Sequence, residues 1–245
     1  MGGIKFLPIS NFCPRQRYSF AMSSDRLGQI FSTWILDGVT KQEPINWGQA
    51  KTNWLRDLPH LADFIDNLPT LLDRRLIREI IESEVHATEA KFATVMIWGY
   101  GVVGYGSFRT KKMFGSSDFR TKVEESYQLS ASGHFLDAYK FLSKNKIKWL
   151  VPAFATKWIS FASPSSNPAP IYDSFISKWF EHFTAEVFAP IPISSLLWNH
   201  KTYSAYVNWM QEQAYLLKMN TDDLELLIFQ DAMRTFPNSS KWKNL

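Results

Sequence analysis

The stretch LVPAFATKWISFASPSSNPAPIYDSF, residues 150–175, carries the strongest fold signal in the chain. Its first part predicts a tight turn and then a short helix over 156–162, with Lys157 in the first turn. A loop rich in serine and proline follows, and its prolines hold the chain extended up to Asp173. Asp173 is placed to cap a second helix over 173–185. The pattern therefore aims an amine and a carboxylate at one place.

The order and spacing of Pro152, Thr156, Lys157 and Asp173 resemble the helix-hairpin-helix DNA glycosylase superfamily, in particular its 8-oxoguanine glycosylase branch. That branch has a hairpin reading Pro-Gly-Val-Gly-Thr-Lys, an apolar helix, a short loop and a Val-Asp that opens the next helix. The resemblance implies an all-α fold with two helical lobes around a DNA-binding cleft. It makes Lys157 the counterpart of the nucleophilic lysine and Asp173 that of the aspartate shared across the superfamily.

Two hairpin positions depart from the family pattern, because Ala153 and Ala155 stand where the family has glycine. Glycine permits positive φ and a close approach of the backbone. We therefore expect this hairpin to bind phosphate differently.

A second motif, Gly-Tyr-Gly-Val-Val-Gly-Tyr-Gly, occupies residues 99–106. Its glycines predict a loop over 98–109, and without a P-loop ending it does not indicate a nucleotide cofactor. The motif resembles one in small bacterial proteins with the 8-oxoguanine glycosylase fold, which implies a role at the substrate site. Glycines would let the backbone approach a flipped base while aromatic rings stack on it; a structural turn packed by aromatics is the alternative. Arg109 is expected to fill the vacated space or to hold a phosphate.

The residues predicted for the base pocket or for DNA binding come from these two stretches. They are Trp98, Tyr100, Tyr105, Phe108, Arg109, Lys111, Phe154, Thr156 and Trp158.

Composition and charge bound the cellular setting. The 245 residues carry a formal net charge of +4 and a pI near 9.0, which permits double-stranded DNA as a partner. Cys13 is the only cysteine, so no disulfide can form within the chain and a reducing compartment is expected. No signal-peptide pattern and no apolar run of membrane-spanning length occur. We expect a cytoplasmic bacterial protein without a membrane partner and, from the resemblance, a monomer.

Apolar residues recur at helical spacing through most of the chain, whereas strand signals are poor. The predicted helices cover about residues 23–39, 47–55, 58–68, 71–85, 88–98, 118–129, 132–144, 156–162, 173–185, 203–218 and 221–233. Residues 1–22 are expected to form an extended arm. We predict one glycosylase-like unit over 1–245, in which 134–185 form the hairpin and catalytic lobe. The ranges 1–133 and 186–245 then form the N-terminal lobe and its supporting helices.

The chemistry of base removal explains why an aspartate and a lysine are of interest. Cleaving the bond between C1′ and the base passes through an oxocarbenium-like transition state, which a fixed carboxylate such as Asp173 would stabilise. Helix capping is the structural alternative for Asp173. The resemblance gives Lys157 the attack on C1′, which needs a neutral amine and hence burial beside Phe154 and Trp158 or a helix N-terminus. An enzyme that uses water and keeps Lys157 for electrostatics remains open.

No metal and no cofactor are predicted. Glu82, His86 and Glu89 share one helical face but lack a second set of ligands. No cysteine cluster exists that could hold an iron–sulfur centre.

The predicted function is a DNA N-glycosylase that flips and excises a modified base to leave an abasic site, with or without lyase activity. Two substrates stay open: a hypermodified phage base such as glucosylated 5-hydroxymethylcytosine in antiviral defence, and 8-oxoguanine in base-excision repair. The altered hairpin and the tyrosine-rich loop favour the first. A non-catalytic DNA-binding module with this fold is the alternative from another class.

Overall fold

The computed structural model describes residues 23–37, 42–184 and 198–237; the predicted arm at 1–22 lies outside them. The described residues form twelve α-helices. In chain order these are α1 (Ser23–Asp37), α2 (Lys51–Asp57), α3 (Ala62–Asn67), α4 (Arg74–Glu82), α5 (Thr88–Tyr100), α6 (Tyr105–Phe114), α7 (Phe119–Ala131), α8 (Phe135–Lys144), α9 (Pro152–Ala162), α10 (Ser174–Phe183), α11 (His200–Leu217) and α12 (Thr221–Thr235). Short 3-10 helices occupy Gly48–Ala50 and Pro59–Leu61. The predicted all-α class is confirmed.

A minimal β-pair accompanies the helices. Strands β1 (Ile45–Asn46) and β2 (Leu71–Leu72) run antiparallel, with Ile45 opposite Leu72 and Asn46 opposite Leu71. The pair holds the segment before α2 against the residues that lead into α4. There the Asp73 side chain accepts a hydrogen bond from Leu76 N–H and caps the helix.

Helices α5 and α9 form the centre of the fold. Phe92, Val95 and Met96 of α5 are fully buried, and α5 packs against α4, α6, α7 and α9. Helix α9 packs in turn against α4, α7 and α8. A helix that is apolar around its whole circumference is a core helix, which explains why the other elements surround α5.

The C-terminal helices complete the second half of the fold. Helix α12 packs against α1, α10 and α11, and α11 also packs against α8. One continuous cluster of buried apolar side chains runs through both halves. The predicted division into a 134–185 lobe and a lobe from 1–133 and 186–245 therefore stays a prediction. Among the described residues, none of the helices has the length and apolarity that crossing a bilayer requires.

The structure corrects the start of the helix that carries Lys157. Helix α9 begins at Pro152, where proline suits the first helical position, and not at residue 156. Lys157 is consequently the sixth residue of α9 and lies in its second turn, away from the helix N-terminus. The sharp turn of the chain falls upstream at Trp149, whose φ is 77°.

The predicted loop over 98–109 is wrong for most of its length. Helix α5 continues through Gly99 to Tyr100, and α6 begins at Tyr105, so only 101–104 lie outside helices. Gly101 ends α5 with a φ of 55°, a conformation that favours glycine. Helix α11 begins at His200, capped by Asn199, and not at residue 203, whereas α12 begins at Thr221 as predicted and is capped by Asn220.

Candidate active site

The structure brings Lys157 and Asp173 together. Lys157 Nζ donates a hydrogen bond of 2.9 Å to Asp173 Oδ2, and both side chains are largely shielded from solvent. The other carboxylate oxygen, Oδ1, accepts hydrogen bonds from Phe175 N–H and Ile176 N–H at the start of α10. Asp173 therefore both caps its helix and pairs with the lysine, so the two roles weighed for it coexist.

The surroundings of Asp173 favour its charged form. Burial opposes the charge, but the adjacent Lys157 ammonium outweighs it, together with the amides of Ile176 and Phe175. The net effect holds the pKa of Asp173 below its usual value. The site thus keeps a carboxylate ionised away from water, which is what electrostatic stabilisation of a cation requires.

Thr156 fixes the loop that delivers Asp173. Its hydroxyl accepts a hydrogen bond from Tyr172 N–H at 3.1 Å and shares its proton between the carbonyls of Ala153 and Tyr172. Thr156 is fully buried, so the prediction that it contacts DNA is wrong, and it acts through the position of Asp173.

Two tyrosines of α11, which the sequence did not single out, hold the same loop from the other side. Tyr203 OH donates to the Pro170 carbonyl at 3.0 Å, and Tyr206 OH donates to the Ile171 carbonyl at 2.6 Å. Burial raises the pKa of both phenols, so they remain hydrogen-bond donors at neutral pH. The backbone before Asp173 is consequently fixed residue by residue.

A cavity of about 230 Å³ opens beside the pair, between α4 and α5 on one side and α9, α10 and α12 on the other. Aromatic rings form much of its wall: Trp98, Tyr100, Phe154, Phe175 and Phe229. Its polar side chains are Gln42, Arg74, Lys157, Asp173, Ser174 and Glu225. A wall of rings with a few placed polar groups is typical of a small-molecule or base pocket.

The predicted pocket residues Trp98, Tyr100 and Phe154 line this cavity. Trp98 Nε1 is buried and has no hydrogen-bond partner among the described residues. Lys157 Nζ lies 5.8 Å from the centroid of the Trp98 ring. A buried donor without a partner indicates that a ligand or water satisfies it.

The Gly-Tyr-Gly motif serves packing inside the protein. The rings of Tyr100 and Phe154 stack at 4.0 Å between centroids. A Cβ on Gly99 would lie 2.6 Å from Phe154 Cε1, and one on Gly106 would lie 2.6 Å from Tyr100 Cβ. Gly99 and Gly106 therefore make room for the protein's own rings, which corrects the expectation that these two glycines open the backbone to a flipped base.

The remaining predicted residues lie elsewhere. Trp158 is fully buried on another side of α9, where its Nε1 donates to Ser126 Oγ, so its placement in the base pocket is wrong. The side chains of Tyr105, Phe108 and Lys111 are exposed and do not line the cavity. Arg109 does not line it either; it is half-buried and acts on the Tyr100 hydroxyl, where it opposes the effect of burial, which raises the pKa of Tyr100.

A buried ionic cluster at the cavity wall was missed by the sequence analysis. Arg74 of α4 contacts Glu225 at 2.6 Å and Asp222 at 3.0 Å, both on α12, and its Nε donates to Gln42. Burial opposes the charge of Arg74, yet the two carboxylates hold its pKa above the usual value. Burial likewise raises the pKa of Glu225, against the pull of Arg74. No local pattern in the sequence signals this cluster, because Arg74 and Glu225 lie 151 residues apart.

The structure gives no candidate metal ligands. In the described part of the chain, no three His, Cys, Asp or Glu side chains come together as a group that could hold an ion. His86 packs against the Phe64 ring, and Glu89 pairs with Arg120.

Comparison with known proteins agrees with this geometry. A family model described as "Putative 8-oxoguanine DNA glycosylase OGG-like protein" matches residues 40–229. No curated protein and no solved structure matches the chain. The matched range contains Lys157, Asp173 and every residue that lines the cavity. The chain therefore belongs to the OGG-like protein family that this description names.

Proposed function

We propose that this protein is a DNA N-glycosylase that takes a flipped, modified base into the aromatic cavity and excises it. The observation that carries the proposal is the buried 2.9 Å pair of Lys157 and Asp173 on the wall of that cavity. Membership of the OGG-like family supports DNA as the polymer. Base flipping costs a few kcal/mol, and stacking on Tyr100, Phe154 or Phe229 offsets part of that cost.

Asp173 is the proposed electrostatic stabiliser. As the bond between C1′ and the base lengthens, positive charge develops on the sugar, and an ionised carboxylate in a water-poor site opposes it strongly. The lowered pKa of Asp173 and its two backbone amide contacts support this role, because they fix both its charge and its position.

Lys157 is the proposed nucleophile. The Lys157 ammonium would release its hydrogen bond to Asp173 and give a proton to the departing base, which leaves with the electron pair of the glycosidic bond, while the neutral amine forms a bond to C1′. Cleavage of the bond between C1′ and the ring oxygen, which takes up a proton from the amine nitrogen, would then open the sugar to a Schiff base. The resulting Schiff base would permit elimination of the 3′ phosphate. An enzyme in which water attacks and Lys157 only supplies charge predicts the same abasic product without covalent capture, so reduction with borohydride separates the two.

Two substrate classes are proposed. The family description names 8-oxoguanine, which supports an oxidised purine. Alanines at both hairpin glycine positions, Ala153 and Ala155, distinguish the chain from that pattern and support a phage base such as glucosylated 5-hydroxymethylcytosine, in antiviral defence. Gly99 and Gly106 of the Gly-Tyr-Gly motif give no support to a bulky base, since the rings of Phe154 and Tyr100 occupy the space beside them.

The test is a panel of unmodified, oxidised, alkylated and glucosyl-hydroxymethylated phage DNA, with abasic sites detected by an aldehyde-reactive label. Sites only on glucosylated DNA assign the antiviral substrate, and sites only on oxidised DNA assign repair. Binding to every DNA without any abasic site would reject a glycosylase and favour the non-catalytic module.

A further inference from the structure

Two exposed aromatic rings meet on the surface of the protein. Phe108 of α6 is 42% exposed, and Trp149, in the connection between α8 and α9, is 41% exposed. Their centroids are 6.3 Å apart, with the rings nearly edge to face. We call these rings, together with Lys112, Lys146 and Lys148, the aromatic–lysine surface. Large rings exposed side by side mark an interaction site more often than single ones do.

The backbone conformation at Trp149 is unusual for a bulky residue. Its φ of 77° lies in the left-handed region, which is strained for a bulky residue. Lys218, the other described non-glycine residue with positive φ, ends α11, where this conformation is ordinary. Ile147 and Leu150 are buried on either side of Trp149 and anchor the connection. Strain held in place by buried neighbours points to a function for the residue that it exposes.

The lysines beside the rings are accompanied by two carboxylates, Asp57 and Asp118, which pair with Lys111 and Lys122. Lys112 Nζ lies 5.3 Å from the centroid of the Phe108 ring, and Lys146 and Lys148 flank Trp149 in the chain with exposed side chains. None of the three lysines forms an ion pair with a described residue. Neither α6 nor residues 144–151 contain an acidic residue. Rings that can stack on bases, edged by unpaired cations, are complementary to nucleic acid.

The aromatic–lysine surface is linked to the cavity through the chain segments that carry its two rings. Val103, at the end of the turn that leads into α6, lines the cavity, and so do Ala153 and Phe154, just after Trp149. The same two chain segments therefore form the wall of the cavity and carry the exposed rings. The inference takes the cavity to open on the side of these rings, so that an extruded nucleotide leaves its gap in the duplex beside them.

We propose that Phe108 and Trp149 form a wedge that enters the base stack where the nucleotide has left, while Lys112, Lys146 and Lys148 hold the flanking phosphates. The inference rests on the proposed function, because it takes extrusion of a nucleotide into this cavity as given. Phe108 and Trp149 would thereby fill the vacated space in the duplex, a role predicted above for Arg109, whose side chain instead interacts with the Tyr100 hydroxyl.

The test compares the affinities of the whole protein for two duplexes. One is intact, and the other contains a tetrahydrofuran abasic analogue, which supplies the gap without a base to excise. Because no excision is needed, failure of the wedge and failure of the glycosylase chemistry give separate results. Wild type is expected to prefer the abasic duplex.

Replacing both rings, Phe108→Ala with Trp149→Ala, is expected to weaken binding to the abasic duplex about tenfold, the effect of losing one or two stacking contacts. Binding to the intact duplex should change by less than about threefold, so the preference disappears. Trp149→Phe should keep most of the preference for the abasic duplex. Trp149→Gly removes the ring and relieves the positive φ, so it tests the same loss in a backbone without that strain.

Two controls separate a wedge from general binding. Tyr215→Ala removes a ring that is 84% exposed on α11 and should change neither affinity. Replacing the three lysines with glutamine should weaken both duplexes alike and reduce the salt dependence of binding by about 0.9 per lost phosphate contact. An unchanged preference in Trp149→Gly and in the double alanine variant, or an equal loss on both duplexes, would overturn the wedge.

Discussion

Asp173 combines two tasks in one side chain, since Oδ1 caps α10 and Oδ2 holds Lys157. The first task needs only an acceptor, whereas the second needs a charge. Asparagine keeps an acceptor and removes the charge. Asp173→Asn therefore separates the structural role of the residue from its electrostatic role. Alanine would remove both the acceptor and the charge, so its effect could not be assigned to either role.

The pH dependence of stability follows from this pairing. The pKa of Asp173 is lowered in the folded state, so its contribution is fully present above about pH 4, the unfolded value, and is lost as the pH falls through the folded value. Asp173→Asn should lower the free energy of unfolding by about 3 kcal/mol at pH 7, because it leaves Lys157 buried without its carboxylate. Urea unfolding measured between about pH 2 and pH 7 should show that the difference in unfolding free energy between this variant and wild type becomes smaller as the pH falls. Parallel curves would contradict the assignment.

Glycine at position 99 is required by the side chain that it faces. Gly99→Ala should displace Phe154 and disturb Lys157, whose Cδ would lie 3.3 Å from the new Cβ. We expect a loss of about 1–3 kcal/mol in unfolding free energy and a marked fall in base release.

The matched control for this change is Gly104→Ala. Gly104 has a helical φ of −60° and open space around its Cβ position. The substitution should be neutral or stabilise by up to about 1 kcal/mol, with base release unchanged. Thermal unfolding and a release assay compare the two, and equal effects would mean that the Phe154 contact has no special importance.

At the scale of elements, the loop before α10 is positioned by hydrogen bonds from α9 and α11. Thr156→Val removes the hydroxyl that bonds both backbone groups of Tyr172 and should cost about 1–3 kcal/mol. Turnover should fall while KM stays near wild type, because Asp173 moves and the aromatic rings that line the cavity do not. Thr156→Ser should restore both quantities. A Val variant with full turnover would mean that the loop is held without Thr156.

The ion pair between Arg74 of α4 and Glu225 of α12 gives a second prediction at the scale of elements. Arg74→Met leaves Glu225 buried without its cation and should destabilise the protein by about 3–5 kcal/mol. Adding Glu225→Leu removes the unpaired charge and should recover most of that loss, since an apolar pair can replace a buried ion pair. Chemical denaturation of the single and double variants measures the difference. A double variant no more stable than the single one would show that the ion pair itself is needed.

How far the sequence predicts these elements depends on the range of the interactions. Proline at 152 and the capping Asp173 are local signals, so α9, α10 and the meeting of Lys157 with Asp173 were predictable. The continuation of α5 through Gly99 was not, because the propensity of glycine against helix is outweighed by Phe154, which packs from 55 residues further along the chain. Arg74 and Glu225, 151 residues apart, carry no local signal of their contact.

At the scale of the molecule, the cavity is assembled from five separate parts of the chain. Residues near 42–45, Arg74, 98–103, 153–175 and 225–229 all contribute to its wall. The range 134–185 contains Lys157 and Asp173 but not the opposite wall of the cavity. Such a site exists only in the complete fold, so distant core mutations are expected to affect it through the position of α5 and α12.

The central claim is that Lys157 and Asp173 excise a base from DNA. The most direct measurement is the rate of free base release, followed by mass spectrometry, from the DNA of the panel that forms abasic sites. Wild type should release the modified base, while Asp173→Asn and Lys157→Ala bind the same DNA with similar affinity and release it at least about a hundredfold more slowly. Release at the wild-type rate by both variants would contradict the account.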